Sequence, residues 1–556
     1  IISEKKNINP VYRFLTEKFK EIFGEELPIN KVKEFGINEG IFLVINDTYD
    51  TLAGKEGYYL TVESNRIVVR ANEPKGLFYG LQTIIQLLPI DADNSEDDKA
   101  VEINIPCVNI FDKPRFSYRG MHLDVCRHFF PVSFIKKYID LLAMHKMNVF
   151  HWHLTEDQGW RIEIEKYPQL TKLGSWRLDS NSKKYGGFYS KREIKEIIKY
   201  AEARYITIIP EIEMPGHSLA ALAAYPELSC TGGPFQVANT WGVFEDVYCA
   251  GNEKTFEFLE NIIDEIAELF PSEFIHIGGD ECPKIRWQQC DKCQKRIKVE
   301  KLKDEKELQS YFIKRIAAFI KTKNKKIIGW DEILEGGIAP EATVMSWRGM
   351  KGGIAAAKKG HDVIMSPTSY CYFDYYQAEP STQPKAIGGF TTLKKVYSFE
   401  PVPKGLSTKE AQHIIGAQGN VWTEYIPDGS HVEYMSLPRM CALSEVLWTS
   451  KNNRNFKDFS KRMKMIFKRF DSINLNYCEG SYKVEIYTQK SDKKVKITLE
   501  SEMYQPDIRY TTDGSNPSLK SKKYTGPFQI SQPAMIKAGI FKNGKLKEKI
   551  LSVQVD

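Results

Sequence analysis

Between about Lys113 and Leu447, short apolar runs alternate with longer stretches whose apolar positions recur every three or four residues, the rhythm of strands each followed by an amphipathic helix. Eight runs carry it: Gly120 to Val125, Asn148 to Leu154, Thr207 to Met214, Phe274 to Glu281, Ile327 to Glu332, Thr343 to Trp347, Asp362 to Ser366 and Ile414 to Trp422. Eight such units over roughly 330 residues predict a (β/α)8 TIM barrel. The flanks read differently. Before Asp112 the pattern is mixed: a helix from Tyr12 to Phe23, strands at Gly57 to Val62 and Arg66 to Ala71 joined by a turn at Ser64-Asn65, and Leu77, Leu81, Ile84, Ile85 and Leu88 at helical spacing until Pro89. The acidic stretch Asp91 to Lys99 reads as a surface loop. A helix near Phe456 to Phe470 precedes a Lys-rich tail with strands at Lys483 to Tyr487, Val495 to Leu499 and Asp507 to Thr511 and turns at Asp513-Gly514, Gly526-Pro527 and Asn543-Gly544. The expected fold is therefore α/β: an N-terminal α/β domain (1–112), a (β/α)8 barrel (113–478) and a small C-terminal all-β sandwich (479–556).

Composition narrows the classes. The chain has 556 residues, enough for several domains, and its net charge of +6 is spread along the sequence with no basic stripe, which excludes a nucleic-acid partner. No apolar run approaches the roughly 20 residues of a membrane helix. Ten cysteines are scattered, and most read as buried thiols; Cys282, Cys290 and Cys293 form a C-x7-C-x2-C group that could ligate zinc or close a disulfide but lacks a nearby fourth ligand. No cofactor and no catalytic metal are expected.

Barrel enzymes keep their chemistry at the C-terminal ends of the strands. The fourth run ends in two glycines and two adjacent carboxylates, Asp280 and Glu281, the first acid/base candidates. Arg127, Glu156, Asp157, Glu213, His217, Trp330, Trp347, Tyr372, Asp374, Trp422 and Glu424 fall at or just past other strand ends and should meet them at one mouth. Tryptophan faces stack on the C–H faces of sugar rings, and Arg127, Asp374 and Glu424 offer donors and acceptors to vicinal hydroxyls. Retaining glycosidases place two carboxyl groups about 5 to 5.5 Å apart across the sugar. Neighbouring residues, with Cα atoms about 3.8 Å apart, can hardly flank a ring. The economical solution is a substrate that supplies its own nucleophile, a 2-acetamido carbonyl, with Asp280 orienting that group and Glu281 protonating the leaving oxygen and then activating water.

At this point the chain resembles glycoside hydrolase family 20, the β-N-acetylhexosaminidases. The motifs that carry the resemblance are His-Ile-Gly-Gly-Asp-Glu (276–281), Leu-Asp-Val-Cys-Arg-His (123–128), His-Trp-His-Leu-Thr-Glu-Asp (151–157), Pro-Gly-His (215–217) and Trp-Thr-Glu (422–424). It implies catalytic roles for Asp280 and Glu281 and a supporting relay of His217 with Glu156 or Asp157. It further implies substrate binding by Arg127 at the 3- and 4-hydroxyls, by Tyr372 at the acetamido carbonyl, by Trp330, Trp347 and Trp422 as pocket walls, and by Asp374 and Glu424 at the outer hydroxyls. Many members carry Asp where this chain has Glu156, so the partner of His217 stays open at this stage. The expected activity is exo-acting removal of terminal non-reducing β-linked GlcNAc or GalNAc from a glycan, with retention, through an oxazolinium intermediate. The nearest alternative is lacto-N-biosidase-like release of a disaccharide. A remoter one is a metal-dependent amidohydrolase using His151, His153, His217 and Asp280, and a third is a non-catalytic sugar-binding barrel. The tail is expected to be a spacer or lid, since it shows no obvious exposed aromatic platform. A glycan-degrading role, with a leader absent from a chain that starts at Ile1, predicts a periplasmic, cell-surface or secreted protein.

Overall fold

The computed structural model describes residues 7–24, 39–89, 104–179, 181–491, 494–531 and 533–555. At its centre eight parallel strands close into a barrel and follow one another round it in chain order. They are Tyr118–Asp124, Val149–His153, Thr207–Met214, Phe274–Gly278, Lys326–Trp330, Thr343–Ser346, Val363–Met365 and Ile414–Gly419, numbered first to eighth below. Each expected run contains or overlaps one strand, but several expected ends are too long. The fourth strand stops at Gly278 because Gly278 and Gly279 take φ of +64° and +92°, which turns the chain out of the sheet before the carboxylates. The eighth likewise ends at Gly419, so Trp422 and Glu424 sit on the following loop.

The helices around the barrel form where one face is apolar, and some of them also carry a side-chain cap on the first turn. Helix Glu253–Leu269 opens on Asn252, whose side chain accepts from the Lys254 N–H, and buries Phe256, Leu259, Ile262, Ile263 and Ile266 against the barrel. Helix Lys191–Glu202 has a capping box between Ser190 and Glu193. Each buried Ile or Leu contributes about 1.5–3 kcal/mol, so the inward stripe holds these helices more firmly than the caps do.

The N-terminal part is a four-stranded sheet in which Gly40–Ile45 pairs in parallel with Arg66–Ala71, and Tyr58–Val62 pairs antiparallel with Arg66–Ala71 and Val108–Asp112. The two outer strands are absent from the sequence reading; they are short and partly exposed, so their apolar signal is weak. Helix Pro74–Leu87 packs on the sheet so closely that a Cβ on Gly80 would lie 2.3 Å from Val69 Cγ1. The apolar core here is continuous with that of the barrel. Arg119, at the start of the barrel, rivets the junction by donating to Glu56 Oε2 at 2.7 Å and the Tyr79 hydroxyl at 2.9 Å. The acidic loop expected at Asp91 to Lys99 lies outside the described residues.

The C-terminal part is a β sandwich with its own small core of Val484, Ile497, Leu499, Ile508, Ile536, Ala538, Ile540 and Val555. One sheet pairs Glu485–Ser491, Lys494–Glu500 and Phe528–Ile530; the other is built around Ala534–Lys542. Its contacts with the barrel side are polar: Glu502 accepts from the Lys394 N–H at 3.0 Å, and Lys549 pairs with Glu379 at 2.7 Å.

Candidate active site

The C-terminal ends of the strands gather the expected residues. Asp280 and Glu281 leave the fourth strand through a turn that only glycine accommodates, since a Cβ on Gly278 would stand 1.7 Å from Glu213 Oε2. Glu281 itself has φ of +40°, a left-handed conformation in a non-glycine residue, held by the surrounding turn. Gln309 fixes that turn by donating to the Gly279 carbonyl at 2.7 Å, and Lys284 bridges Gln309 and the Cys282 carbonyl. The two neighbours face different environments: the Glu281 side chain is 42% exposed and the Asp280 side chain 11%.

His217 reaches between them from the loop after the third strand, with φ of +48°. Its Nε2 lies 3.7 Å from Asp280 Oδ2 and 3.6 Å from Glu281 Oε2. Its Nδ1 lies 2.7 Å from Glu156 Oε1 and 3.2 Å from Asp157 Oδ2. The open choice of partner thus resolves to both acids, with Glu156 the closer. Asp157 also accepts from the Leu219 N–H at 2.9 Å, which ties the His217 loop to the second strand's end.

Arg127 is placed by Asp124, a carboxylate the sequence reading passed over although it sits in the same motif. Asp124 Oδ1 accepts from the Cys126 and Arg127 N–H groups, and Oδ2 from the Thr423 N–H and hydroxyl, so one side chain joins the ends of the first and eighth strands. Buried Arg161 and Arg177 brace the same loop through the carbonyls of Val125, Cys126 and Arg127. The Arg127 guanidinium then pairs with Glu156 at 3.1 Å and lies 5.2 Å from the Trp422 ring centroid.

The aromatic residues line the mouth at different depths. Trp330 is 1% exposed and donates to Glu211 at 3.0 Å, which makes it floor more than wall. Trp422 packs against it at 5.8 Å between ring centroids. Trp347 and Tyr372 stack at 6.2 Å, and Trp347 donates to Glu332 at 2.9 Å. Glu332 belongs to the Gly-Trp-Asp-Glu run, so the signal for it was present beside Trp330.

Burial orders the protonation states. For Asp280, burial first, helped by Glu211 and Glu281 against the pull of His217, lifts the pKa to about 7. Glu281 goes the other way: the facing His217 imidazole, 3.6 Å away, outweighs its partial burial and holds it below the usual carboxylate range. Burial opposes the charge on His217, but Glu156 and Asp157 overcome it and hold the imidazole well above its ordinary value. Burial and the nearby Asp280 push Glu332 up to about 8, and burial with Asp280 and Glu211 raises Glu213 well above its ordinary value. Of the two neighbours, then, the buried Asp280 keeps its proton to higher pH than the exposed Glu281.

Below the mouth, His151 Nε2 and His276 Nδ1 lie 3.1 Å and 2.7 Å from the Glu211 carboxylate, and His153 Nδ1 bonds it as well. The amidohydrolase reading needs His151, His153, His217 and Asp280 around one ion. Instead His151 and His153 turn to Glu211 on the third strand, while His217 turns to Glu156 and Asp157, just beyond the second. The expected C-x7-C-x2-C group also divides: the Cys282 thiol turns to the Pro283 carbonyl, beside Gly216, away from Cys290 and Cys293.

What distinguishes the mouth is unmet polar capacity. Asp280 Oδ1, Asp374 Oδ1, Glu424 Oε2 and Arg127 Nε are buried with no hydrogen-bond partner among the described residues. Such groups cost free energy unless a ligand meets them. Residues 116–451 match the glycosyl hydrolase family 20 catalytic domain, and residues 3–113 match domain 2 of the same family. The chain belongs to glycosyl hydrolase family 20. Residues 497–555 match an Fn3-associated module. Among family relatives, the β-hexosaminidase of Porphyromonas gingivalis is 44% identical over 540 residues, spanning 96% of this chain and 68% of that protein. The β-hexosaminidase β subunit of Homo sapiens is 30% identical, over 75% of this chain and 66% of its own length. Among family structures, the exo-β-N-acetylglucosaminidase of Vibrio harveyi, solved with N-acetylglucosamine, superposes with a TM-score of 0.75 at 32% identity, over 85% of this chain and 74% of that one. The Streptomyces coelicolor β-N-acetylhexosaminidase superposes with a TM-score of 0.75 at 27% identity, over 86% and 92%. The family assignment makes this chain a glycoside hydrolase of the β-hexosaminidase class.

Among the described residues, no helix is long and apolar enough to cross a membrane.

Proposed function

We propose that this glycoside hydrolase removes terminal non-reducing β-linked GlcNAc or GalNAc from glycans by exo-acting, retaining, substrate-assisted catalysis. The observation that carries the reading is the adjacency of Asp280 and Glu281 at one strand end with unlike surroundings, the first buried with Oδ1 unmet, the second open towards solvent. Two carboxyls on consecutive residues cannot straddle a sugar, so the nucleophile is the substrate's own acetamido oxygen. Asp280 receives the acetamido N–H and steadies the charge that grows on nitrogen as that oxygen attacks the anomeric carbon. Glu281 gives its proton to the leaving oxygen, then takes one from the water that opens the oxazolinium ion.

The resting protonation order must invert for this to work, and the ligand supplies both changes. The amide N–H donated to Asp280 favours its ionised form, and a sugar covering Glu281 deepens its burial, which works against the hold of His217 and favours the protonated form. Arg127, Asp374 and Glu424 close the pocket around one terminal sugar, which supports single-residue release. Tyr372 takes the acetamido carbonyl, and Trp330, Trp347 and Trp422 hold the ring.

A chromogenic N-acetyl-β-glucosaminide, compared with the matching β-glucoside, tests the reading: turnover of the first and hardly of the second is expected. Chromatography of products from a defined oligosaccharide tests the exo step; release of a disaccharide in place of N-acetylhexosamine overturns it. A glycan-degrading role further supports a location in the periplasm, at the cell surface or outside the cell. Fractionation that finds the activity in the cytoplasm sinks that placement.

A further inference from the structure

Four cysteines that the sugar chemistry does not use converge beside the active site. Cys230 follows the short turn Pro226–Leu228, Cys249 lies at the far end of the same loop, Cys290 immediately precedes helix Asp291–Val299, and Cys293 is in its first turn. Their sulfurs stand 3.8 Å apart for Cys230 and Cys293, 3.7 Å for Cys249 and Cys290, and 3.6 Å for Cys249 and Cys293. All four lie within 4.8 Å of one another. A disulfide brings its sulfurs to about 2.05 Å, so none of these pairs is bonded. Four thiolates at about 2.3 Å from one tetrahedral Zn2+ stand about 3.8 Å apart, the edge of that tetrahedron.

The backbone is shaped to this group. Cys249 to Asn252 form a tight turn in which the Asn252 N–H donates to the Cys249 carbonyl at 3.1 Å. That turn is pressed against the start of the helix, where a Cβ on Gly251 would lie 2.2 Å from the Lys292 carbonyl carbon and 2.4 Å from the Cys293 nitrogen. Ser229 bridges to Tyr248, and the Cys249 N–H donates to the Leu228 carbonyl at 2.8 Å, so Cys230 and Cys249 are held side by side. Cys290 and Cys293 have the C-x2-C spacing of a zinc ligand arm, and Cys230 and Cys249 come from the two ends of one loop.

We propose that Cys230, Cys249, Cys290 and Cys293 bind one structural Zn2+ ion that clips together the two loops carrying His217 and the Asp280–Glu281 pair. With four thiolates the coordination is closed, leaving no open position for substrate or water, so the ion holds shape and takes no part in glycoside cleavage. Its lever on the active site is short. The Tyr248 N–H, next to Cys249, donates to the Pro215 carbonyl at 3.0 Å, two residues before His217. Trp287, three residues before Cys290, donates to the Tyr248 carbonyl at 2.9 Å. Gly216 packs on the backbone of Asp280 and Cys282, where a Cβ would come within 3.2 Å. The ion thus fixes one loop against the other. Folding and zinc binding release the thiol protons together, so affinity falls as pH drops.

The test uses the whole chain purified without chelator. Elemental analysis is expected to find about one zinc per chain, and X-ray absorption four sulfur neighbours at about 2.3 Å. Replacing the ion by Co2+ should give the intense thiolate-to-cobalt absorption of a tetrahedral sulfur site, and a mercurial titration should release zinc in step with thiols blocked. The double variant Cys290→Ser/Cys293→Ser should lose the zinc and melt lower, while Cys371→Ser, a buried thiol elsewhere, keeps it. If the double variant does not fold, the wild-type measurements still decide. Zinc well below stoichiometry, with the four thiols either paired as two disulfides in non-reduced peptide maps or freely alkylated in the native protein, overturns the proposal whatever the enzyme does to sugars.

Discussion

His217 and Glu156 meet at 2.7 Å in the buried wall of the site, and the same Glu156 carboxylate pairs with Arg127 at 3.1 Å. One side chain therefore sets both the imidazole that faces the two acids and the guanidinium that faces the sugar. Glu156→Gln is expected to raise KM and lower kcat together, because the neutral amide releases His217 and Arg127 at once; breaking such a buried pair costs about 3–5 kcal/mol. Steady-state kinetics with a thermal melt check this, and a variant with unchanged KM would remove Glu156 from the Arg127 side of the network.

Glu281→Gln keeps the volume and removes the proton. Turnover of natural oligosaccharides, whose leaving groups need protonation, should fall by about 10²–10⁴-fold, with ligand binding nearly unchanged. Aryl glycosides with good leaving groups should suffer far less in the first step. Equal losses on both substrate types would contradict a general-acid role.

Asp280→Asn should lose activity chiefly on 2-acetamido sugars and bind oxazoline-mimicking thiazolines more weakly, since Asp280 is assigned to the acetamido nitrogen. Inhibition constants for a thiazoline on wild type and variant measure this directly. Undiminished thiazoline binding would falsify the assignment.

The pH dependence has a definite sign. With Asp280 near 7 in the free chain, and its ionised form required, kcat/KM should rise with pH through about 7. In the complex the acetamido N–H favours ionised Asp280, so the limb in kcat should lie lower. Stability runs the opposite way: a carboxyl whose folded pKa is raised favours the folded state only while protonated. Asp280 therefore makes the chain less stable as pH climbs from about 4 towards 7, and Asp280→Asn should be more stable than wild type at pH 8 by on the order of 1–3 kcal/mol. Denaturant melts at pH 5 and pH 8 would show it, and a difference that does not grow with pH argues against a raised Asp280.

Gly278→Ala should fold poorly or not at all. The added Cβ would meet Glu213 Oε2 at 1.7 Å, and the backbone there has φ of +64°. The left-handed strain costs on the order of 1–3 kcal/mol and the forced movement of Glu213 more. Soluble yield and melting temperature report it.

Much of the fold is legible because the information is local. Eight apolar runs separated by amphipathic stretches reveal a barrel, and the glycines at 278 and 279 mark where the fourth strand must end. The exposed outer strands of the N-terminal sheet escape notice for the same reason, since partial burial leaves a weak pattern.

Contiguous residues alone thus determined the barrel and the adjacent acid pair at the end of its fourth strand. Tertiary structure decided what depends on distance between separate loops: that His217 leans on both Glu156 and Asp157, that Asp124 anchors Arg127, and that Cys230 and Cys249 complete a group with Cys290 and Cys293 while Cys282 stands apart. It also decided the resting order of the two acids, because a pKa follows burial and neighbouring charge, and two residues adjacent in sequence can be unequally buried once the chain turns between them.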